Sequence, residues 1–199
     1  VKTLIIGNGI TGVTAALTVR ELQPDWDITI VSEESDHFFS RTALMYIYMG
    51  HMRVEDTRPH EQDFWRRKRL KLVRATVTGI DPAARLVKLG HGSGLAYDKL
   101  LIATGSLSNK FGWPGQDLEG VQGLYHLQDL ERLEARSAGI RRGVIVGGGL
   151  IGIELAEMLH SRGRQVTILA RESSYWNNIL PQAESELINE VIRENGVDL

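Results

Sequence analysis

The chain has 199 residues, enough to bury a sizeable core in one large domain or two small ones. Its formal charge of −2 argues against a nucleic-acid binder that works by overall charge, and no apolar run approaches membrane-spanning length. There is no cysteine, which excludes a structural disulfide, a thiolate zinc site and a redox-active thiol within these residues.

The six histidines, His37, His51, His60, His91, His126 and His160, show no H-x-x-x-H spacing, so no metal site is expected. No signal peptide is visible, and a cytoplasmic address is the default expectation. The chain opens directly on a strand pattern, as if a few leading residues had been trimmed.

In chain order, residues 4–6 form an apolar run that leads into Gly7-Asn8-Gly9-Ile10-Thr11-Gly12. In a strand–turn–helix unit, Gly7 allows the tight turn and Gly9 lets a pyrophosphate approach the backbone. Gly12 lets the helix lie close to the strand. The G-x-G-x-x-G pattern is weak alone, so its surroundings must decide. Residues 9–22 read as a helix with Ala15, Ala16 and Val19 on a small face, and residues 27–32 read as a second strand. Glu33 then falls about twenty residues beyond Gly12, where a carboxylate can accept hydrogen bonds from both hydroxyls of an adenosine ribose. Glu34 is grouped with it at the same strand end, although by itself it reads as a solvated loop carboxylate.

Residues 37–52 are aromatic and Met-rich, with a helix expected from about Thr42 and Met45, Ile47 and Met49 as its core residues. Arg41, a cation shortly after the second strand, is well placed to meet an electron-rich ring. Phe64-Trp65-Arg66-Arg67-Lys68-Arg69 reads as a solvated basic helix face, with a docking patch for an acidic partner as the sharper alternative. From Lys71 to Tyr97 the apolar period is two, with turns at residues 81–84 and 90–94, which predicts a small antiparallel meander. Residues 99–103 then form a buried strand ending in Thr104-Gly105-Ser106.

Glycines and Pro114 without periodicity place a domain boundary within residues 109–123. A short helix over 129–138 and a strand over 143–146 lead to Gly147-Gly148-Gly149-Leu150-Ile151-Gly152. A helix to about 161, a strand over 165–169, a loop through Pro181, a helix to about 195 and a last strand at 197–199 follow. The chain therefore repeats one strand–glycine turn–helix–strand unit. The expected fold is α/β, with two Rossmann-like βαβ dinucleotide-binding units and a meander inserted in the first. The division expected is 1–112 and 113–199.

With both glycine motifs and the segment Ala103-Thr104-Gly105 in view, the chain resembles the N-terminal half of an FAD-dependent pyridine nucleotide-disulfide oxidoreductase. It is most similar to the single-flavin branch that includes ferredoxin and rubredoxin reductases, NADH oxidases and the flavin half of nitrite reductases. The resemblance implies that Gly7, Gly9, Ile10, Thr11, Gly12, Glu33 and Glu34 bind the adenosine diphosphate part of FAD. It implies that Val77 sits at the adenine through its backbone, that Ala103, Thr104 and Gly105 pass near the flavin, and that Arg41 lies beside the isoalloxazine. A cation there stabilises the anionic reduced flavin.

At the second turn, Gly147, Gly149, Leu150, Ile151 and Gly152 would cradle the pyrophosphate of NAD(P)H, and Glu154 would meet the carboxamide of the nicotinamide. After the strand at 165–169 the sequence reads Ala170-Arg171-Glu172, which leans towards the 2′-phosphate of NADPH through Arg171, while Glu172 keeps the ribose alternative open. Disulfide reductases of the family carry a cysteine near position 41. Phe39-Ser40-Arg41-Thr42 has none, so electrons are expected to leave the flavin directly for an acceptor such as a small redox protein. An NAD(P)H oxidase using oxygen and a nucleotide-binding redox sensor without turnover are the alternatives. The family's flavin site is completed by a later segment, so the chain is expected to be a fragment that binds FAD weakly and does not turn over alone. Neither nucleic acid nor membrane is an expected partner.

Overall fold

A computed structural model describes residues 1–199. Packing divides them into two units, one of residues 1–43 and 52–129 and the other of residues 44–51 and 130–199. Residues 44–51, which carry a short helix, group with the C-terminal unit, and residues 113–129 group with the first.

The first unit is built on a four-stranded parallel sheet in the order β3-β2-β1-β7, with β1 at Lys2–Ile6, β2 at Asp27–Ser32, β3 at Leu70–Arg74 and β7 at Lys99–Ile102. Helix α1 (Ile10–Leu22) makes the crossover from β1 to β2. It lays Val13 and Ala16 against Ile5, Ile28 and Ile30, and Trp65 of the one-turn helix α3 (Phe64–Arg67) closes the same cluster. Each buried valine or isoleucine of this cluster contributes on the order of 1.5–3 kcal/mol by leaving water. The other face of the sheet presents Leu4, Ile6 and Val31. It is covered by an antiparallel meander of β4 (Val77–Asp81), β5 (Leu86–Leu89) and β6 (Gly94–Ala96), through Val87 and Leu89.

The alternation after Lys71 is thus only partly a meander. Residues 70–74 pair in parallel with β2, from Ile28↔Leu70 to Ser32↔Arg74, and the antiparallel strands begin at Val77. A period of two fixes which side chains share a face, but not the direction of the neighbouring strand.

The second unit repeats the pattern on a smaller scale. Its parallel sheet has the order β10-β9-β8, from β8 (Arg142–Val146), β9 (Gln165–Leu169) and β10 (Val197–Asp198), with α5 (Leu150–Ser161) and α6 (Gln182–Glu194) as crossovers. Helix α2 (Leu44–Tyr48) packs on α5. Its buried residues are Leu44 and Tyr48, with Ala43 just before it, rather than the expected Met45, Ile47 and Met49. Tyr48 is the reason: its hydroxyl meets Ser137 Oγ at 2.7 Å, and Arg162 lies over its ring at 4.0 Å. Helix α4 (Leu127–Ser137) starts two residues earlier than expected, because Asp129 Oδ2 reaches back to accept the N–H groups of Tyr125 and His126. No helix is long and apolar enough to cross a membrane.

Candidate dinucleotide site

Both glycine turns are formed where a parallel strand meets its crossover helix. Gly7 and Gly147 adopt φ of 110° and 123°, in the region that disfavours a side chain. A Cβ added at Gly12 would overlap the Gly7 carbonyl, and one at Gly152 would overlap the Gly147 carbonyl, so the helix can approach only with glycine there. Gly9 and Gly149 face open space, which leaves room for a bulky anion against the backbone. The first intrahelical bonds run from Val13 N–H to Gly9 O (3.0 Å) and from Ile153 N–H to Gly149 O (3.2 Å). The N–H groups of Ile10, Thr11 and Gly12, and of Leu150, Ile151 and Gly152, precede those bonds and point out of the helix ends. Neither first turn holds an acidic residue that would compete with an anion. The residues present therefore fit the pyrophosphate of a dinucleotide at both turns.

Around the first turn the fold gathers most of the expected residues. Ala103 N–H donates to Ile6 O at 2.8 Å, which sets the end of β7 beside Gly7 and carries Thr104 and Gly105 past the turn. Gly7 N–H donates to Val31 O at 2.8 Å, so the end of β2 and Glu33 lie next to it. Glu33 is exposed and unpaired, beside a small pocket lined by Asn8, Ser32, Ser35, Asp36 and Arg74. Val77 opens β4 and packs towards Leu4, Ile6 and Val31 on the covered face of the sheet.

Glu34 is a correction to the solvated carboxylate. It is buried, and its two oxygens take a bidentate pair from Arg41 at 2.9 and 2.6 Å. Glu34 Oε1 also accepts the N–H of Leu127 at 2.9 Å, and its backbone carbonyl accepts from the Gln128 amide. Burial pushes the carboxyl up, but the Arg41 hydrogen bonds, the Leu127 N–H and the nearby positive charge outweigh it and hold the group below its ordinary range. Arg41 itself lies over the Tyr125 ring at 4.4 Å and donates to the Tyr125 carbonyl. Its charge is therefore already matched by a carboxylate, and it binds two parts of the first unit together.

Three residues that matter here escaped the motif reading. Asn8, an unspecified position of the first turn, is buried and donates to the carbonyl of Ser35 at 2.9 Å, tying the turn to the loop after β2. Tyr125 accepts the N–H of Ser106 at 3.1 Å and fixes the segment after Gly105. Tyr175, buried in the second unit, donates its hydroxyl to Gly149 O at 2.9 Å and so steadies the second turn. Burial first, and the Glu154 carboxylate second, push its phenol above the ordinary value. Only Asn8 had a signal in the sequence, as a short amide inside a glycine turn.

The family model described as pyridine nucleotide-disulphide oxidoreductase matches residues 1–199. The chain is 28% identical over 199 residues to a probable ferredoxin reductase, CtmF, of Castellaniella defragrans, spanning 99% of this chain and 49% of that protein. It is 30% identical over 195 residues to the 3-phenylpropionate/cinnamic acid dioxygenase ferredoxin–NAD(+) reductase component of Photorhabdus laumondii, spanning 98% and 50%. Among solved structures it is similar to NADH:rubredoxin oxidoreductase of Clostridium acetobutylicum, with a TM-score of 0.85, 26% identity, and 99% and 51% coverage. The chain thus spans about half the length of the relatives it matches.

Proposed function

Because the chain belongs to the pyridine nucleotide-disulphide oxidoreductase family, whose members hold FAD and use NAD(P)H, we propose that its first glycine turn holds FAD and its second the nicotinamide nucleotide. The protein would then be an FAD-dependent NAD(P)H oxidoreductase that passes electrons to an acceptor such as a small redox protein. The observation that carries this reading is the duplicated cradle, with the same glycine overlap and the same strand-end hydrogen bond in each copy.

Bound flavin would supply the ability to take two electrons from a hydride donor and release them one at a time. The chain's own residues do the rest. The first-turn N–H groups of α1 and α5 would donate to pyrophosphate oxygens, and Glu33 would accept from ribose hydroxyls. The Glu34–Arg41 pair fixes the loop after β2 against Tyr125, and Tyr125 fixes Ser106, so Thr104 and Gly105 are held beside the first turn. Val77 offers backbone groups to the adenine, and Glu154 faces the nicotinamide end of the second turn. The 199 residues supply no thiol relay, which supports direct electron release to an acceptor of the kind the relatives' names give.

The test is FAD binding, read by quenching of its fluorescence on the whole chain. Gly12→Ala should abolish it and Gly152→Ala should leave it intact. Equal loss in both variants, or no binding by the parent chain, would overturn the assignment. Photoreduced FAD-loaded chain should be reoxidised faster by rubredoxin or ferredoxin under argon than by air. Equally fast reoxidation by air would favour the oxidase.

A further inference from the structure

The two turns are copies, and their hydrogen bonds fix which residue in one corresponds to which in the other. Gly7 N–H donates to Val31 O at 2.8 Å, and Gly147 N–H donates to Leu169 O at 2.9 Å. The ladders agree, with Ile6↔Val31 in the first unit and Val146↔Leu169 in the second. Counting on from those anchors, Ser32 corresponds to Ala170, Glu33 to Arg171 and Glu34 to Glu172. The position that carries an exposed carboxylate in the first unit carries a guanidinium in the second.

The two groups read different chemistry. A carboxylate only accepts hydrogen bonds and so suits ribose hydroxyls, whereas a guanidinium only donates them and matches a phosphate in shape and charge. Ala170 adds nothing that would oppose an anion. Its methyl lies so close to the turn that a Cβ at Gly148 would stand 3.0 Å from it. The side chain of Arg171 is 94% exposed, and its ion pair with Glu172 is loose, at 3.6 Å. An exposed pair of that length is worth little, so the guanidinium can turn to a ligand at small cost. Glu34, the counterpart of Glu172, is by contrast locked by Arg41.

We infer that the second unit selects a nucleotide whose adenosine ribose bears a 2′-phosphate, NADPH rather than NADH, and that Arg171 determines the choice. The inference rests on the reading of the second turn as the nicotinamide-nucleotide site. It is tested by calorimetric titration of the whole chain with NADP+ and NAD+, with excess FAD present to occupy the first turn. NADP+ should bind about tenfold more tightly than NAD+ or better. Arg171→Ala should shrink the preference to within about twofold, and raised salt should shrink it in the parent chain. Glu172→Gln should leave NAD+ affinity unchanged. Loss of NAD+ binding in that variant would assign the ribose to Glu172 and overturn the inference.

Equal binding, or tighter binding of NAD+, overturns the selectivity and leaves the nucleotide site standing. Binding of neither nucleotide, or binding that survives Gly152→Ala, overturns the site along with it. Thermal melts of Arg171→Ala and Glu172→Gln should match the parent, since Arg171 is a surface residue whose only ion pair, with Glu172, is loose.

Discussion

Glu34 shows how far one carboxylate's neighbours can change its role. Its side chain is 8% exposed and that of its partner Arg41 is 29% exposed, so the pair sits mostly out of water. Glu34→Gln leaves the guanidinium without its counter-charge, and should cost about 2–3 kcal/mol, somewhat less than for a fully buried pair. The folded carboxyl lies below its ordinary value of 4.5. The stabilisation is therefore fully present above the unfolded value and is lost as pH falls through the folded one. Urea unfolding should show a constant difference between parent and variant from neutral pH to about pH 5, and a shrinking one below it. Arg41→Ala should cost a similar amount and weaken FAD retention, whereas a residue acting on the flavin by charge alone would leave both unchanged. Gly12→Ala, which drives a methyl into the Gly7 carbonyl, should move α1 off the sheet and cost 2 kcal/mol or more, roughly, by overpacking.

Among the elements, α4 and the second glycine turn depend on single polar groups. Helix α4 begins at Leu127 because Asp129 Oδ2 accepts from Tyr125 and His126 and Glu34 accepts from Leu127. Asp129→Ala should cost about 1 kcal/mol and speed amide exchange over the first turn of α4 more than elsewhere. Tyr175→Phe removes the hydrogen bond to the Gly149 carbonyl and keeps the ring packing. It should cost about 1 kcal/mol and weaken nucleotide binding a few-fold, measured by melting and by titration. Strand β3 is different: Leu70–Arg74 continues the alternation of the meander, yet it pairs in parallel with β2, because the long crossover of residues 33–69 brings the chain back to the end of the sheet where β2 starts.

On the scale of the molecule, the two units treat equivalent surfaces differently. In the first, Leu4, Ile6 and Val31 lie under Val87 and Leu89 of the meander. Their counterparts in the second, Val144, Val146 and Leu169, are exposed. A contiguous apolar face of this kind binds hydrophobic dyes, and replacing Val144 and Val146 with threonine should lower dye fluorescence. Stability should change by no more than about 0.5–1 kcal/mol, because no buried contact is lost. The sequence by itself determined the repeat. Glycines at 7, 9 and 12 and at 147, 149 and 152, each between an apolar strand and a helical period, admit one local geometry, since a side chain at the third glycine collides with the first. It likewise determined that residues 27–32 and 165–169 are strands, because their apolar patterns are short and sharply bounded. Only the tertiary structure decided the direction of β3, the burial of Glu34 beside its exposed neighbour Glu33, and the seat of Arg41 on Tyr125, 84 residues away. Local periodicity reports which face a residue lies on. Which charge it meets there depends on distant segments that the fold brings together, and no pattern in the intervening residues encodes that meeting.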